Sequence, residues 1–460
     1  EVLVAGGDLV KKGQMIARSQ GTISASQHAP TSGRIESVTD VAAPHPSGLP
    51  QTTIIIEPDG KDEWADLPEP VADPFAADLQ VIRDRVAQAG VVGLGGAVFP
   101  AAVKLNLGTQ YKIEILLING AECEPYITCD DRVMREYADE VIDGARIVAR
   151  VMGAPRVVVG IELNKPQAIE IMTKAAAPFA EVEVVGVPAL YPMGYAHELI
   201  LAITGRETPA GKRTAEVGVV AYNVATVRAV HQAVRFGRPL ISRVVTVSGG
   251  AIREPKNVLT PIGARVADLI EFCGGFSAPP ARLVNGGPMM GEPLPSLEVP
   301  VVKGTAGILA LTAEETNTQA ASPCIRCGSC VTICPAGLSP VEMAAFIRKD
   351  NLEAAARLGV MDCVSCGSCS WVCPSHIPLV HYFNYAKGAL NKQERERRKN
   401  ERVKILAEVR VIRVEKAAEA KRAAMAARKP ATAATPAADA PPGNAGQANT
   451  ASTAEEKTNA

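Results

Sequence analysis

The chain is 460 residues long, 47% hydrophobic, and carries a formal net charge of −1. That length exceeds what one core can serve and calls for about two to four domains. The balanced charge gives no global pull toward nucleic acid, and no apolar run reaches the roughly 18 residues of a membrane span, so any membrane role is expected to be peripheral. The sequence opens on Glu1 without a methionine, which leaves room for residues missing before it.

Residues 1–57, with "GGDLVKKGQMIA" and "HAPTSGRIESV", read as short strands broken by Gly and Pro. This segment resembles the small β-sandwich of biotinyl and lipoyl carrier domains. Thr31-Ser32-Gly33 stands where those carriers have a modifiable lysine, so a structural module is expected rather than a swinging arm. Residues 58–77 form a Pro- and acid-rich linker. Over 78–238, buried-strand runs at 112–118, 156–163 and 181–187 alternate with helical patterns at 79–89, 132–152, 165–177 and 223–236. That alternation predicts a Rossmann-like α/β domain with a largely parallel sheet. Residues 239–312 give a strand, turns, a helix and further strands, as in a β-grasp (SLBB-like) module.

Residues 313–385 hold two cysteine boxes, "PCIRCGSCVTICP" and "DCVSCGSCSWVCP". Both obey C-x2-C-x2-C-x3-C-P, the spacing of bacterial ferredoxins with two [4Fe-4S] clusters. Three thiolates at spacing three wrap one corner of a cubane, and the fourth, in ferredoxins of this type, ligates the other cluster. The predicted ligand sets are Cys324, Cys327, Cys330 and Cys373, then Cys363, Cys366, Cys369 and Cys334. A structural zinc pair fits less well, because zinc sites use separated C-x2-C pairs. Of the 11 cysteines, Cys123, Cys129 and Cys273 stand apart and read as ordinary thiols. The clustering argues for metal ligation in a reducing compartment rather than a disulfide framework. Beyond the boxes, residues 386–429 are strongly basic and can form one long helix. The Ala-, Pro- and Thr-rich tail at 430–460 is expected to be disordered.

Two segments could serve a nucleotide. In "GVVGLGGAVFPAAVKLNLG" (90–108), Gly93, Gly95 and Gly96 form a loop before a helix that starts at Ala101 and carries Lys104, so backbone N–H groups can approach a phosphate. In "LLINGAECEPYITCDDRVMRE" (116–136), Asn119, Glu122 and Glu124 lie just past a buried strand, at the sheet edge where α/β proteins bind ligands.

Together with "YPMGYAHELI", the β-grasp segment and the twin boxes, these motifs look like the RnfC component of the Rnf electron-transport complex, over roughly residues 1–390. The Gly-rich and Asn-x-x-Glu-x-Glu-Pro loops also resemble the NADH-binding subunit of respiratory complex I. The resemblance implies FMN phosphate and ring at Gly93, Gly95, Gly96 and Lys104. It implies Asn119 and Glu122 lining the flavin, Phe99 and Glu124 facing NAD(H), and Tyr191 and Gly194 closing the pocket. It further implies a peripheral subunit on the cytoplasmic side of a bacterial inner membrane. There it would exchange electrons between NAD(H) and a ferredoxin-type carrier while partner subunits move Na+ or H+. A flavin would join the two-electron hydride donor to the one-electron clusters. No catalytic acid or base is nominated. The chain departs from the family pattern at Val98, where glycine is usual and a branched residue resists positive φ. It departs again at Ala196-His197, in place of an acidic-basic pair. A cobalamin reductase of related layout, and a wiring subunit whose nucleotide pocket does not work, are the alternatives.

Overall fold

Strands β1 (Leu9–Val10), β4 (Gly33–Ala42) and β5 (Pro50–Pro58) form an antiparallel sheet, and β2 (Met15–Ala17) pairs with β3 (Gln27–His28). Val10, Ile16, Ala29 and Ile35 are buried between them. The computed structural model describes all of the chain except residues 22, 46, 48, 317, 318 and 428–460, so the tail expected to be disordered lies outside the described residues. The linker is anchored along its length. Lys12 N donates to Glu63 O at 2.8 Å, Ala65 N to Lys12 O at 2.9 Å, and Val71 N to Val234 O at 3.0 Å.

The central elements are α1 (Leu79–Gln88), α2 (Ala101–Leu105), α3 (Leu107–Gln110), β6 (Ile115–Gly120), α4 (Cys129–Glu136), α5 (Ala138–Met152), β7 (Arg156–Glu162), α6 (Pro166–Ala176), β8 (Val182–Val187), α7 (Ala196–Thr204), β9 (Val219–Asn223) and α8 (Val224–Phe236). The sheet is parallel throughout, in the order β8-β7-β6-β9. Its strands are apolar on both faces because helices cover both. One face meets α1, α5 and α8, and the other packs Leu117, Val158 and Val219 against Leu199 and Ile200 of α7. The helix predicted over 132–152 is broken at Tyr137, which leaves helical geometry (φ −129°, ψ 33°) and stacks under Arg228 at 3.6 Å. Helix α7 and strand β9 had no counterpart in the sequence reading.

Next come β10 (Ser242–Ser248), β11 (Lys256–Pro261), α9 (Val266–Phe272), β12 (Arg282–Asn285), β13 (Glu292–Pro293) and β14 (Gly307–Leu311), a mixed sheet of order β11-β10-β14-β12-β13 with α9 against it. Lys303 ties three modules together. Its buried ammonium donates to Ser26 O at 2.9 Å and Gly90 O at 2.8 Å, and burial pushes its pKa down to about 7. The cysteine boxes carry short helices α10 (Ser329–Thr332) and α13 (Ser368–Trp371), separated by α11 (Pro340–Ile347) and α12 (Leu352–Arg357). The long helix α14 (Leu379–Ala427) follows.

The chain divides into two units, Glu1–Leu390 and Asn391–Ala460. In the second, the described residues are helical to Ala427 and exposed, except for the partly covered Glu394. Among the described residues no helix is long and apolar enough to cross a membrane.

Candidate functional site

The strand order supplies the starting point. From β6 the chain steps outward through β7 and β8, then returns to β9 on the other side of β6. Ligands in such sheets settle at the carboxyl ends of the strands where this reversal occurs. Asn119 of β6 and Asn223 of β9 are paired there in register.

The Gly-rich loop lies at that point. Its neck is closed by Gly93 N to Phe99 O at 2.8 Å and Ala101 N to Val91 O at 3.0 Å. Leu94 is buried and anchors the loop through Thr226 Oγ1 at 2.8 Å, while residues 95–99 are exposed. A Cβ on Gly95 would sit 3.1 Å from Asn223 Cβ, and Gly96 has φ +99° with open space around it. This bare, upturned backbone suits a flat, phosphate-bearing ligand, so the residues fit FMN. Lys104 is already engaged: its ammonium bonds the Ala221 carbonyl and lies 4.5 Å from the Tyr222 ring, and desolvation lowers its pKa to about 8. Val98 does adopt the strained geometry foreseen for it, with φ 50°. Its Cγ2 fills the space a Cβ on Gly304 would need.

Past β6, Asn119 Nδ2 donates to Gly194 O at 2.8 Å, which holds the 191–195 turn over the strand end. Glu122 caps α4 by accepting from Asp130 N at 2.8 Å and Asp131 N at 3.1 Å. Desolvation and the nearby Asp130 charge push Glu122 up to about 7. Asp130 accepts from Asn223 Nδ2 at 2.5 Å, and the buried Arg243 guanidinium faces the same group. Glu124, expected at the nicotinamide, accepts from Met289 N at 3.1 Å and Met290 N at 2.8 Å. Its carboxylate holds the 286–291 turn of the β-grasp module against the α/β domain.

A cavity of about 550 Å³ opens beside these groups, lined by Glu122, Glu124, Tyr191, Cys123, Arg135 and Lys165 among others. It gathers Glu122, Glu124 and Tyr191. Asn119 and Gly194 adjoin it through their mutual bond. Gly93, Gly95, Gly96, Phe99 and Lys104 do not line it and belong to the neighbouring loop. Lys165 closes one side with a 2.7 Å ion pair to the buried Glu162 and a 3.1 Å bond to Glu122 O. The departure at Ala196-His197 leaves a half-buried imidazole 5.0 Å from the Tyr195 ring, its pKa lowered by desolvation.

Each cysteine box turns the same way. Arg326 and Ser365 take φ 57° and 56°, Gly328 and Gly367 take φ 80° and 85°, and the first thiol of each box accepts an N–H at 3.4 Å. The thiols gather as two crossed sets. Cys330 feels Cys327, Cys373 and Cys324, whereas Cys369 feels Cys363, Cys366 and Cys334. Desolvation and these neighbours hold Cys369 up at about 12, so four thiolates there require a cationic centre among them. The donor sets fit two [4Fe-4S] clusters. The second set is bound to the nucleotide side: Tyr191 OH donates to Cys366 O at 2.6 Å, and a Cβ on Gly367 would sit 2.9 Å from Met289 O.

Residues 1–61 match the RnfC barrel sandwich hybrid domain, 86–232 the Nuo51 FMN-binding domain, 244–293 the SLBB domain and 320–377 the 4Fe-4S dicluster domain. The C subunit of the ion-translocating oxidoreductase complex of Rhodobacter capsulatus is 55% identical, over 87% of this chain and 77% of its own. This chain belongs to the RnfC family, the C subunits of ion-translocating oxidoreductase complexes. Another member, the C subunit of the proton-translocating ferredoxin:NAD(+) oxidoreductase complex of Clostridium ljungdahlii, is 45% identical over 86% of each chain. An NAD+-reducing [NiFe]-hydrogenase chain shares the fold, with TM-score 0.50 and 19% identity over 68% of this chain and 63% of that one.

Asn223, Asp130, Arg243 and Lys165 are site residues that sequence reasoning missed in this RnfC-family chain. Asn223 had a readable signal. It ends the apolar run "GVVAYN" as Asn119 ends "ILLIN". The other three are brought in by tertiary packing alone.

Proposed function

We propose that this protein takes electrons from, or returns them to, NAD(H) at the β6/β9 edge and passes them singly through two [4Fe-4S] clusters to a ferredoxin-type carrier. Partner subunits in the bacterial inner membrane couple that flow to Na+ or H+ movement, with this chain peripheral on the cytoplasmic side. FMN bound on the Gly93–Gly96 loop would exchange a hydride with the nucleotide and release electrons one at a time. The chain's own residues position and shield. Gly95 lets the loop close on Asn223, and Gly96 leaves open space for a ring. Asn119 and Gly194 hold the turn that roofs the site, and Glu124 and the 286–291 turn close it from the β-grasp side. Cys324, Cys327, Cys330 and Cys373 would hold one cluster, and Cys363, Cys366, Cys369 and Cys334 the other.

One observation carries this reading: the Cys366–Gly367 loop is seated directly on Tyr191 and Met289, so a one-electron centre adjoins the cavity wall. The test is anaerobic reconstitution with FMN, iron and sulfide, then titration with NADH while flavin and cluster absorbance are followed. Both should bleach. Flavin bleaching with clusters untouched would break the proposed route. Val98 in its strained conformation and Glu124 already capped by Met289 and Met290 favour a second reading, a wiring subunit with an idle nucleotide pocket. In that case NADH bleaches neither, although dithionite bleaches the clusters.

A further inference from the structure

The two cysteine boxes are alike in backbone and unlike in cover. Matching positions share left-handed residues: Arg326 with Ser365, Gly328 with Gly367, and Gly337 with His376. Yet Cys366 and Cys369 are buried, whereas Cys324 and Cys327 are exposed. The second box is covered by the chain itself. Tyr191 and Met289 press on one side, Asn384 accepts from Ser365 Oγ at 2.8 Å, and Lys387 donates to Cys363 O at 2.6 Å.

The first box presents its apolar side chains to solvent. Ile325 is 68% exposed between two thiol-bearing residues, and Val331 and Ile333 are 41% and 45% exposed. Trp371, 76% exposed, ends α13, which packs on α10 of the first box. Single exposed apolar residues need no explanation, but several large ones around exposed metal-ligating thiols mark an interaction surface. An uncovered cluster also has nowhere to send an electron within this chain, because the second set already faces the cavity. Arg326 is the only charged residue from 319 to 335, so this segment offers little for ionic steering.

The geometry points to the face around Ile325 and Trp371 as the docking surface for a redox protein carrying a one-electron centre, held by apolar contact rather than charge pairing. This inference rests on the cluster assignment above and names the partner class for its outer end. The partner completes for the first box the cover that Tyr191 and Met289 give the second.

The probe is the purified membrane complex depleted of this protein. The full chain is reconstituted with iron and sulfide, reduced with dithionite and mixed with that complex, and reoxidation of its clusters is followed by stopped flow. Ile325→Glu and Trp371→Glu should each slow reoxidation about tenfold, as loss of a central apolar anchor does, with iron content and cluster absorbance unchanged. Trp371→Phe should retain the rate, which separates lost docking from a damaged box. Raising the salt should alter the wild-type rate by less than about twofold. Glu variants that reoxidise at the wild-type rate, or a rate that collapses with salt, overturn the proposal. Failure of NADH to bleach the wild-type clusters would sink the nucleotide reading alone, since dithionite loading bypasses that site.

Discussion

Replacing Gly194 with alanine tests how the 191–195 turn is held over the strand end. A Cβ there would sit 2.4 Å from Ala121 O and 2.9 Å from Cys123 Sγ, both far inside van der Waals contact. A relaxed carbon–oxygen approach is about 3.3–3.6 Å, so the turn must lift by about 1 Å. Overpacking of this kind costs about 1–3 kcal/mol. Lifting Gly194 O away from Asn119 Nδ2, now at 2.8 Å, costs about 1 kcal/mol more. The sum is about 2–4 kcal/mol, which lowers Tm by roughly 5–15 °C for a domain of this size. Thermal unfolding by circular dichroism, with iron content checked before heating, reads the effect. Gly93→Ala is the control. Its Cβ would meet nothing closer than 3.6 Å and its φ is ordinary, so its melting should match wild type. If Gly194→Ala melts with the wild type, the close approach of turn and strand is not real and the roof of the cavity must be rebuilt.

Val98→Gly removes a left-handed β-branched residue, worth about 1–3 kcal/mol, but gives up its contact with Gly304 and frees the unfolded chain. Stability should therefore stay within about 1 kcal/mol, while flavin retained through gel filtration increases. Unchanged flavin would reduce the loop to a simple turn. Cys373→Ala should remove the cluster of the other box, with Cys324, Cys327 and Cys330, and lower iron and sulfide by half. Selective loss of the Cys363 cluster would overturn the crossed assignment. Glu122 is an acid whose folded pKa, about 7, lies above its ordinary value of 4.5, so the native state binds more protons across that interval. Stability is thus fullest below about pH 4.5 as far as this group is concerned and falls as pH rises toward 7. Glu122→Gln should flatten Tm between pH 5 and 8, and a slope identical to wild type would contradict the enclosure of this carboxylate.

The cysteine boxes were legible because C-x2-C-x2-C-x3-C-P is a local pattern, which sets three thiols around one cubane; the crossing of the fourth came from the likeness to two-cluster ferredoxins. The buried strands at 115–120, 156–162 and 182–187 were legible for a similar reason, as short apolar runs in a parallel sheet covered on both faces. Val98 was marked by a side chain at odds with a glycine position, and its φ of 50° is the strain so marked. Strand order was not readable, because β9 crosses back past β6 and so sets Asn223 beside Asn119 from more than a hundred residues away. Nor could sequence show that Glu124 is capped by Met289 and Met290, or that Tyr191 bonds the Cys366 carbonyl. Both contacts join modules distant along the chain, and only packing decides which surfaces meet. The unequal cover of the two boxes is of the same kind: boxes of the same spacing took different burial because one of them has the α/β domain for a neighbour.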